Sequence, residues 1–261
     1  MAARAIWKGE LKLGTHKLPV KLYSAVEDKS VRFHILDDTK RNRVKQHMVN
    51  PDSGEEVGTT EIRKGYEIEP GRFVILEDED LAKLKPEPSR DIEISSFISI
   101  DAIPQQFYDR PYFLGPDGDQ DDYFALAQAL ENQKHEGIAH WVMRNKSYTG
   151  ALGSQDGYLV ISTLRNEGQV IAADDLPKPA GRPPTKKEIE LAKHLVSLLE
   201  GEFDPKDYKD EYRERVMEFI AKKAKGRAPR LAAVKTKRKT TALDSVLAKS
   251  IAALKKGKRA A

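Results

Sequence analysis

Apolar and polar residues alternate along the opening of the chain. Trp7, Gly9, Leu11 and Leu13 fall on one parity and Lys8, Glu10 and Lys12 on the other. A second alternating run occupies residues 18–25. A period of two predicts a pair of strands over 6–14 and 18–25 that turn at Gly14, Thr15 and His16. Residues 31–36 alternate again, with Val31, Phe33 and Ile35 against Arg32 and His34, and residues 72–76 are almost continuously apolar. Over 91–101, Ile92, Ile94, Ile98 and Ile100 share one parity. Turn-forming clusters separate these runs: Asp37-Asp38, Pro51-Asp52-Ser53-Gly54 and Glu69-Pro70-Gly71. Many short strands spaced this way predict a barrel or sandwich, with a short helix at 79–84.

The period changes at Tyr123. Residues 123–134 fit a helix capped by Asp121 or Asp122, with Phe124, Leu126, Ala127 and Leu130 as its apolar stripe. Strands follow at 137–144 and 158–165, joined by a loop through 147–156. The pattern divides the chain into a β-rich core at 1–176, a Pro-rich linker at 177–184 and a helical module at 185–226. In the module, Thr185 and Glu188 form a capping box ahead of the stripe Ile189, Ala192, Leu195, Val196 and Leu199, with a stop at Gly201. A second helix opens at Asp204 or Asp207. On it Tyr208, Tyr212, Val216, Phe219 and Ile220 share a face, flanked by the pairs Glu211/Arg215 and Glu218/Lys222, and Gly226 ends it. The fold class expected is α+β, mainly β. Residues 227–261 are Lys/Ala/Arg-rich and expected to be largely disordered. Within them, Leu243, Val246, Leu247, Ile251 and Leu254 lie on one helical face, for docking a partner or for folding on DNA.

Charge is the next constraint. The net +4 conceals an asymmetry: residues 222–261 hold 14 Lys and Arg against one acid, Asp244, while residues 1–221 hold 31 bases and 40 acids. An acidic body with a basic tail points to a polyanion, DNA or RNA, as the tail's partner. A solvated tail that only aids solubility is the alternative. The chain contains no Cys, which excludes disulfides, thiolate zinc sites and a cysteine nucleophile and fits a reducing cytosol. With no secretory h-region and no membrane-length apolar run, the sequence predicts a cytoplasmic protein without membrane contact.

No catalytic constellation emerges. The Gly150–Gly153 segment lacks the lysine and spacing of a phosphate loop, and Ser154-Gln155-Asp156-Gly157 lacks the lysine of the Lys-x-Asp-Gly ligase motif. Asp117, Asp119 and Asp121 imitate a calcium loop until Asp122 stands where glycine is needed and Gln128 where a bidentate Glu is needed. The six histidines, 16, 34, 47, 135, 140 and 194, have no i,i+3 or i,i+4 spacing. Neither a metal nor a cofactor is expected. An enzyme reading survives only as a metal-dependent nuclease built on Asp119, Asp121 and Asp122, which a helix-cap role explains more simply.

Four segments, in order, carry a resemblance: residues 6–14 with 18–25, Lys64-Gly65-Tyr66-Glu67, Asp109–Leu114 and Gly157–Arg165. Together they resemble the bacterial Ku family, the DNA-end-binding proteins of non-homologous end joining. The resemblance implies a β-barrel core with extended arms and a homodimeric ring that threads double-stranded DNA. It also implies a C-terminal module that recruits ATP-dependent DNA ligase D, and a nucleoid-associated location. Many members carry Cys-x-x-Cys-like residues near the stretch that is here 46–54; this chain has Met48 and Pro51 in place of thiols.

A protein that grips a duplex without reading it needs cations aimed at phosphates. Lys40, Arg41, Arg43 and Lys45 form the densest basic cluster of the body, with Arg63 and Lys64 expected beside them across a hairpin. Lys17 and Lys21 lie on the N-terminal strands, Arg144 and Lys146 in a loop, and Lys235, Lys237, Arg238 and Lys239 in the tail. These are the expected DNA contacts. Tyr208, Tyr212 and Phe219 are the expected partner-binding set, aromatics being frequent interface anchors; packing of the two helices is their alternative role. A core of this size has a radius of gyration of roughly 15–16 Å, too small to encircle DNA alone, so a two-fold pair is expected. The rival function is a general nucleoid or RNA-binding protein with no preference for ends.

Overall fold

The computed structural model describes residues 3–118, 120–178 and 180–226. The chain divides into two units: residues up to 29 with 34–175, and residues 30–33 with those from 176 onward.

The first unit is built on a closed seven-stranded barrel. Its strands are β1 (Trp7–Leu13) and β2 (His16–Ser24), then, after a separate hairpin of β3 (Lys64–Glu69) and β4 (Arg72–Leu76) and a short α1 (Asp78–Lys83), β5 (Asp91–Ser99) and β6 (Tyr108–Pro116). Helix α2 (Gln120–Gln133) precedes β7 (His135–Met143), β8 (Lys146–Gln155) and β9 (Tyr158–Leu164). The barrel order is β1-β2-β6-β9-β8-β7-β5, closed by a parallel β1–β5 pairing while its other neighbours run antiparallel. Closure removes the free edges an open sheet would expose.

Register explains why these residues share a core. Leu11 faces Leu18 and Ile92, Leu22 faces Leu114, Leu114 faces Leu159, and Ile161 faces Leu152, and all are buried. Two glycines make room for indoles. A Cβ on Gly9 would lie 2.1 Å from the Trp7 ring and 2.4 Å from the Arg90 carbonyl. One on Gly150 would lie 2.7 Å from the Trp141 ring and 2.6 Å from the Ser162 carbonyl.

The structure corrects several expectations. Residues 147–156 are not a loop: all but Asp156 lie in β8, where Gly150, which weakens the strand signal, leaves the space that the Trp141 ring fills. The tight connections lie on either side: Arg144-Asn145, at φ 51° and 62°, and Asp156-Gly157, at φ 52° and 77°, as type I′ hairpins require. Residues 31–36 form no strand beyond an isolated Leu36–Arg43 bridge, and Phe33, Ile35 and Leu36 are exposed. The single parity of β5 breaks at a bulge between Ile94 and Ser96, after which Phe97 joins Ile94 over Gly137. Helix α2 begins at Gln120, so Asp121 and Asp122 occupy its first turn rather than cap it. Its buried residues are Tyr123, Ala127 and Leu130, while Phe124 is exposed.

In the second unit, α3 (Lys186–Leu198) starts with the expected capping box, Thr185 with Glu188. Helix α4 (Glu211–Ala224) starts later than expected: Asp210 caps it, accepting from the Arg213 amide at 2.9 Å. Pro205–Asp207 is a separate 3-10 turn. Lys222 pairs with Glu218, but Arg215 donates to the Glu211 carbonyl rather than its carboxylate. Neither helix has a buried residue.

Candidate nucleic-acid interface

The expected cations fall into two physical groups. Lys17 and Lys21 on the barrel and Arg63 and Lys64 at the β3–β4 hairpin lie within ion-pair distance of carboxylates. On the outer face of the β1–β2 hairpin, Lys8 pairs in register with Lys21 and Lys12 with Lys17. Like charges directly opposite each other repel, and acids on β1, on β5 and just after β6 offset this. Asp117 receives Lys8 at 2.9 Å and Lys21 at 2.5 Å, Glu10 receives Lys17 at 2.9 Å, and Asp91 receives Lys12. The hydrogen bonds from Lys21 and Lys8 hold the Asp117 carboxyl below the usual range, and Asp117 in turn raises Lys21. Lys64 bonds Asp78 at 2.9 Å, which lowers the Asp78 pKa. Arg63 reaches the Thr60 carbonyl at 2.7 Å and Glu77 at 3.6 Å. Lys64 pairs across the hairpin with Leu76, not with the 40–45 cluster as expected. Arg144 forms a hairpin corner, and Lys146 lies over the Tyr148 ring at 5.5 Å. Lys235, Lys237, Arg238 and Lys239 lie outside the described residues.

The second group is different. Lys40, Arg41, Arg43 and Lys45 are all exposed, and no described carboxylate lies within ion-pair distance of their side chains. They sit on or beside a closed loop. Asp37 accepts from the Lys40 amide at 2.6 Å, the Thr39 hydroxyl at 2.7 Å and the Asn42 amide at 3.0 Å. Its own amide donates to the Asn42 carbonyl at 3.0 Å, and the Arg41 amide donates to the Asp37 carbonyl at 3.1 Å. Sequence reasoning found the cations but missed Asp37, although an Asp opening a turn of Asp, Thr and Asn is a legible signal.

A second loop follows directly. Asn50 accepts the Gly54 amide on its carbonyl at 2.8 Å and the Asp52 amide on its side chain at 2.9 Å, and Ser53 accepts from Glu55 at 3.3 Å. His47 contacts Glu56 at its base. Hydrogen bonds close the stretch that has Met48 and Pro51 in place of thiols. Among the described residues no group of three His, Cys, Asp or Glu side chains is placed to hold a metal ion. Of the acids in the nuclease alternative, Asp119 lies outside the described residues and Asp122 contacts His16 at 3.3 Å. The Gln155–Gly157 part of the ligase-motif near-match is a hairpin turn.

The expected partner-binding aromatics do not share one helical face. Tyr208 precedes α4 and stacks on Phe203 with ring centroids 5.0 Å apart. Tyr208 and Tyr212 are exposed, and Phe219 is half-buried.

Residues 12–191 match the family model described as the Ku70/Ku80 beta-barrel domain, well over half of the chain. The chain belongs to the Ku family. Ku relatives in three organisms agree over most of its length. The Non-homologous end joining protein Ku of Coxiella burnetii (strain RSA 331 / Henzerling II) is 35% identical over 230 residues, covering 86% of this chain and 84% of the relative. The protein of that name in Anaeromyxobacter sp. (strain K) is 36% identical over 228 residues, 87% and 77% of the two chains. The Archaeoglobus fulgidus protein of that name is 34% identical over 226 residues, 86% and 89%. Ku proteins bind DNA rather than catalyse. The closed barrel is accordingly the Ku barrel, and no helix of the described residues is long and apolar enough to cross a membrane.

Proposed function

We propose that this Ku protein binds double-stranded DNA ends, independently of sequence, as a homodimeric ring in non-homologous end joining. Membership of the family supports end joining. The observation that carries DNA contact to this chain is the Asp37 loop, with four exposed cations in six residues and, among the described residues, no carboxylate within ion-pair distance of their side chains. Such an array suits phosphates and reads no bases. The paired lysines of the barrel face are secondary contacts, available once phosphate displaces carboxylate.

The β3–β4 hairpin supports the ring. Phe73 and Ile75 lie on one of its faces, Tyr66 and Val74 on the other, and all four are exposed. A two-stranded hairpin with apolar residues on both faces is marginal alone and calls for a covering surface; a second copy supplies it and closes around the duplex. We assign residues 1–176 to DNA binding and dimerisation, 177–184 to a linker, 185–226 to recruitment of ATP-dependent DNA ligase D, and 227–261 to further phosphate contacts. Exposed Tyr208 and Tyr212 favour the recruiting role over helix packing. The protein would work in the bacterial cytoplasm, on nucleoid DNA.

The test is a gel-shift competition at near-physiological salt. Protein held on a blunt linear duplex is challenged with equal mass of the same sequence, linear or covalently closed. Competition by the linear form alone is expected, because a closed ring loads only at a terminus. Equal competition by both would replace the ring with a groove-binding protein that has no need of ends.

A further inference from the structure

We propose that Asp37 is a positioning residue for DNA: its carboxylate closes the loop between Leu36 and Arg43 and so presets Lys40, Arg41 and Arg43 in a fixed array before any phosphate arrives. The inference rests on the DNA-binding reading above and assigns a role to an acid inside the most basic part of the body.

The geometry is over-determined. Three donors converge on the Asp37 side chain and two backbone bonds join residue 37 to residues 41 and 42. The Leu36–Arg43 bridge and a bond of 3.2 Å from the Val44 amide to the Ile35 carbonyl close the base. Arg41 sits at φ 56°, a left-handed conformation that a long side chain rarely adopts without external support. Free in solution, three like charges within four residues would spread apart. Held by Asp37, the backbone that carries them keeps one conformation, and the backbone-ordering cost that a flexible basic segment meets on binding is met during folding instead. The hydrogen bonds to the Asp37 carboxyl, led by that from the Lys40 amide, hold its pKa below the usual carboxylate range and keep it ionised.

This role makes a prediction opposite in sign to simple electrostatics. Removing an acid from a cationic loop raises its charge and should tighten binding to a polyanion; removing a positioning residue should weaken it. Asp37→Ala and Asp37→Asn remove the same charge, but only asparagine keeps an acceptor for the Lys40 amide and the Thr39 hydroxyl. Full-length protein and both variants would be titrated on a blunt duplex across a salt series, with thermal melting as the fold control. We expect D37A to bind about fivefold more weakly or worse than D37N, with melting unchanged. Its log–log salt slope should be shallower by about 0.9 for each phosphate the loop no longer reaches. Equal binding by D37A and D37N, or tighter binding by D37A, would overturn the proposal. An Arg41→Ala/Arg43→Ala variant separates the two levels. If its affinity and slope match the parent, this loop is not on DNA and the underlying reading fails. If it weakens while D37A does not, only the positioning role fails.

Discussion

Tyr123 shows how much one side chain can decide. Its hydroxyl accepts from the Leu159 amide at 2.8 Å and donates to the Leu114 carbonyl, so it stands between two residues paired at the end of the β6–β9 ladder. The ring is fully buried, and burial raises its pKa. Helical periodicity pointed to Phe124 because both neighbours are aromatic and hydropathy favours the phenyl; only the ladder's need for a hydroxyl distinguishes them. Tyr123→Phe should therefore destabilise the barrel by about 1–3 kcal/mol, the cost of a buried amide and carbonyl left without partners. Urea unfolding measures this, and an unchanged midpoint would show that the two backbone groups pair without it. Asp37 teaches the same lesson on the surface, where the basic cluster was legible and the acid that closes its loop was not.

At the scale of elements, the local signals that held are those whose partners are near in sequence. The capping box of α3 is such a case: Glu188 accepts from the Thr185 amide at 2.7 Å and from Arg182 at 2.9 Å. Arg182 first, then Thr185, hold the Glu188 carboxyl down at about 2. A depressed carboxylate contributes stability that is present above its unfolded pKa and lost as pH falls through the folded one. The start of α3 should accordingly stay intact down to about pH 4.5 and loosen between there and pH 2. Carboxylate NMR titration would check this; a Glu188 midpoint near 4.5 would remove Arg182 from the cap. Strand β8 is the opposite case. Its glycines read as a loop because the reason for them, the Trp141 ring on the adjacent strand, lies outside any local window.

At the scale of the molecule, the issue is what covers the β3–β4 hairpin. Phe73→Ser with Ile75→Ser removes the apolar residues of one face without touching the barrel core. If a second copy covers that face, the double variant should shift toward monomer in sedimentation velocity and lose preference for linear over closed DNA, with melting of the barrel retained. A variant that stays dimeric would place the two-fold interface elsewhere.

The sequence by itself determined a mainly β core of barrel or sandwich type, the capped helix after the Pro-rich stretch, the position of the basic cluster and the resemblance to Ku, because alternation, capping boxes and charge density are properties of neighbours along the chain. Only the tertiary structure decided that Lys17, Lys21 and Lys64 are paired with acids, that 147–156 is a strand, and that residues 31–36 lack one. The acids Asp117 and Asp78 and the ring of Trp141 reach these residues from a turn, a helix and another strand. Whether a lysine is free for phosphate, or a glycine is a turn or a floor for an indole, depends on which atoms closure of the barrel and pairing of its hairpins bring within a few ångströms.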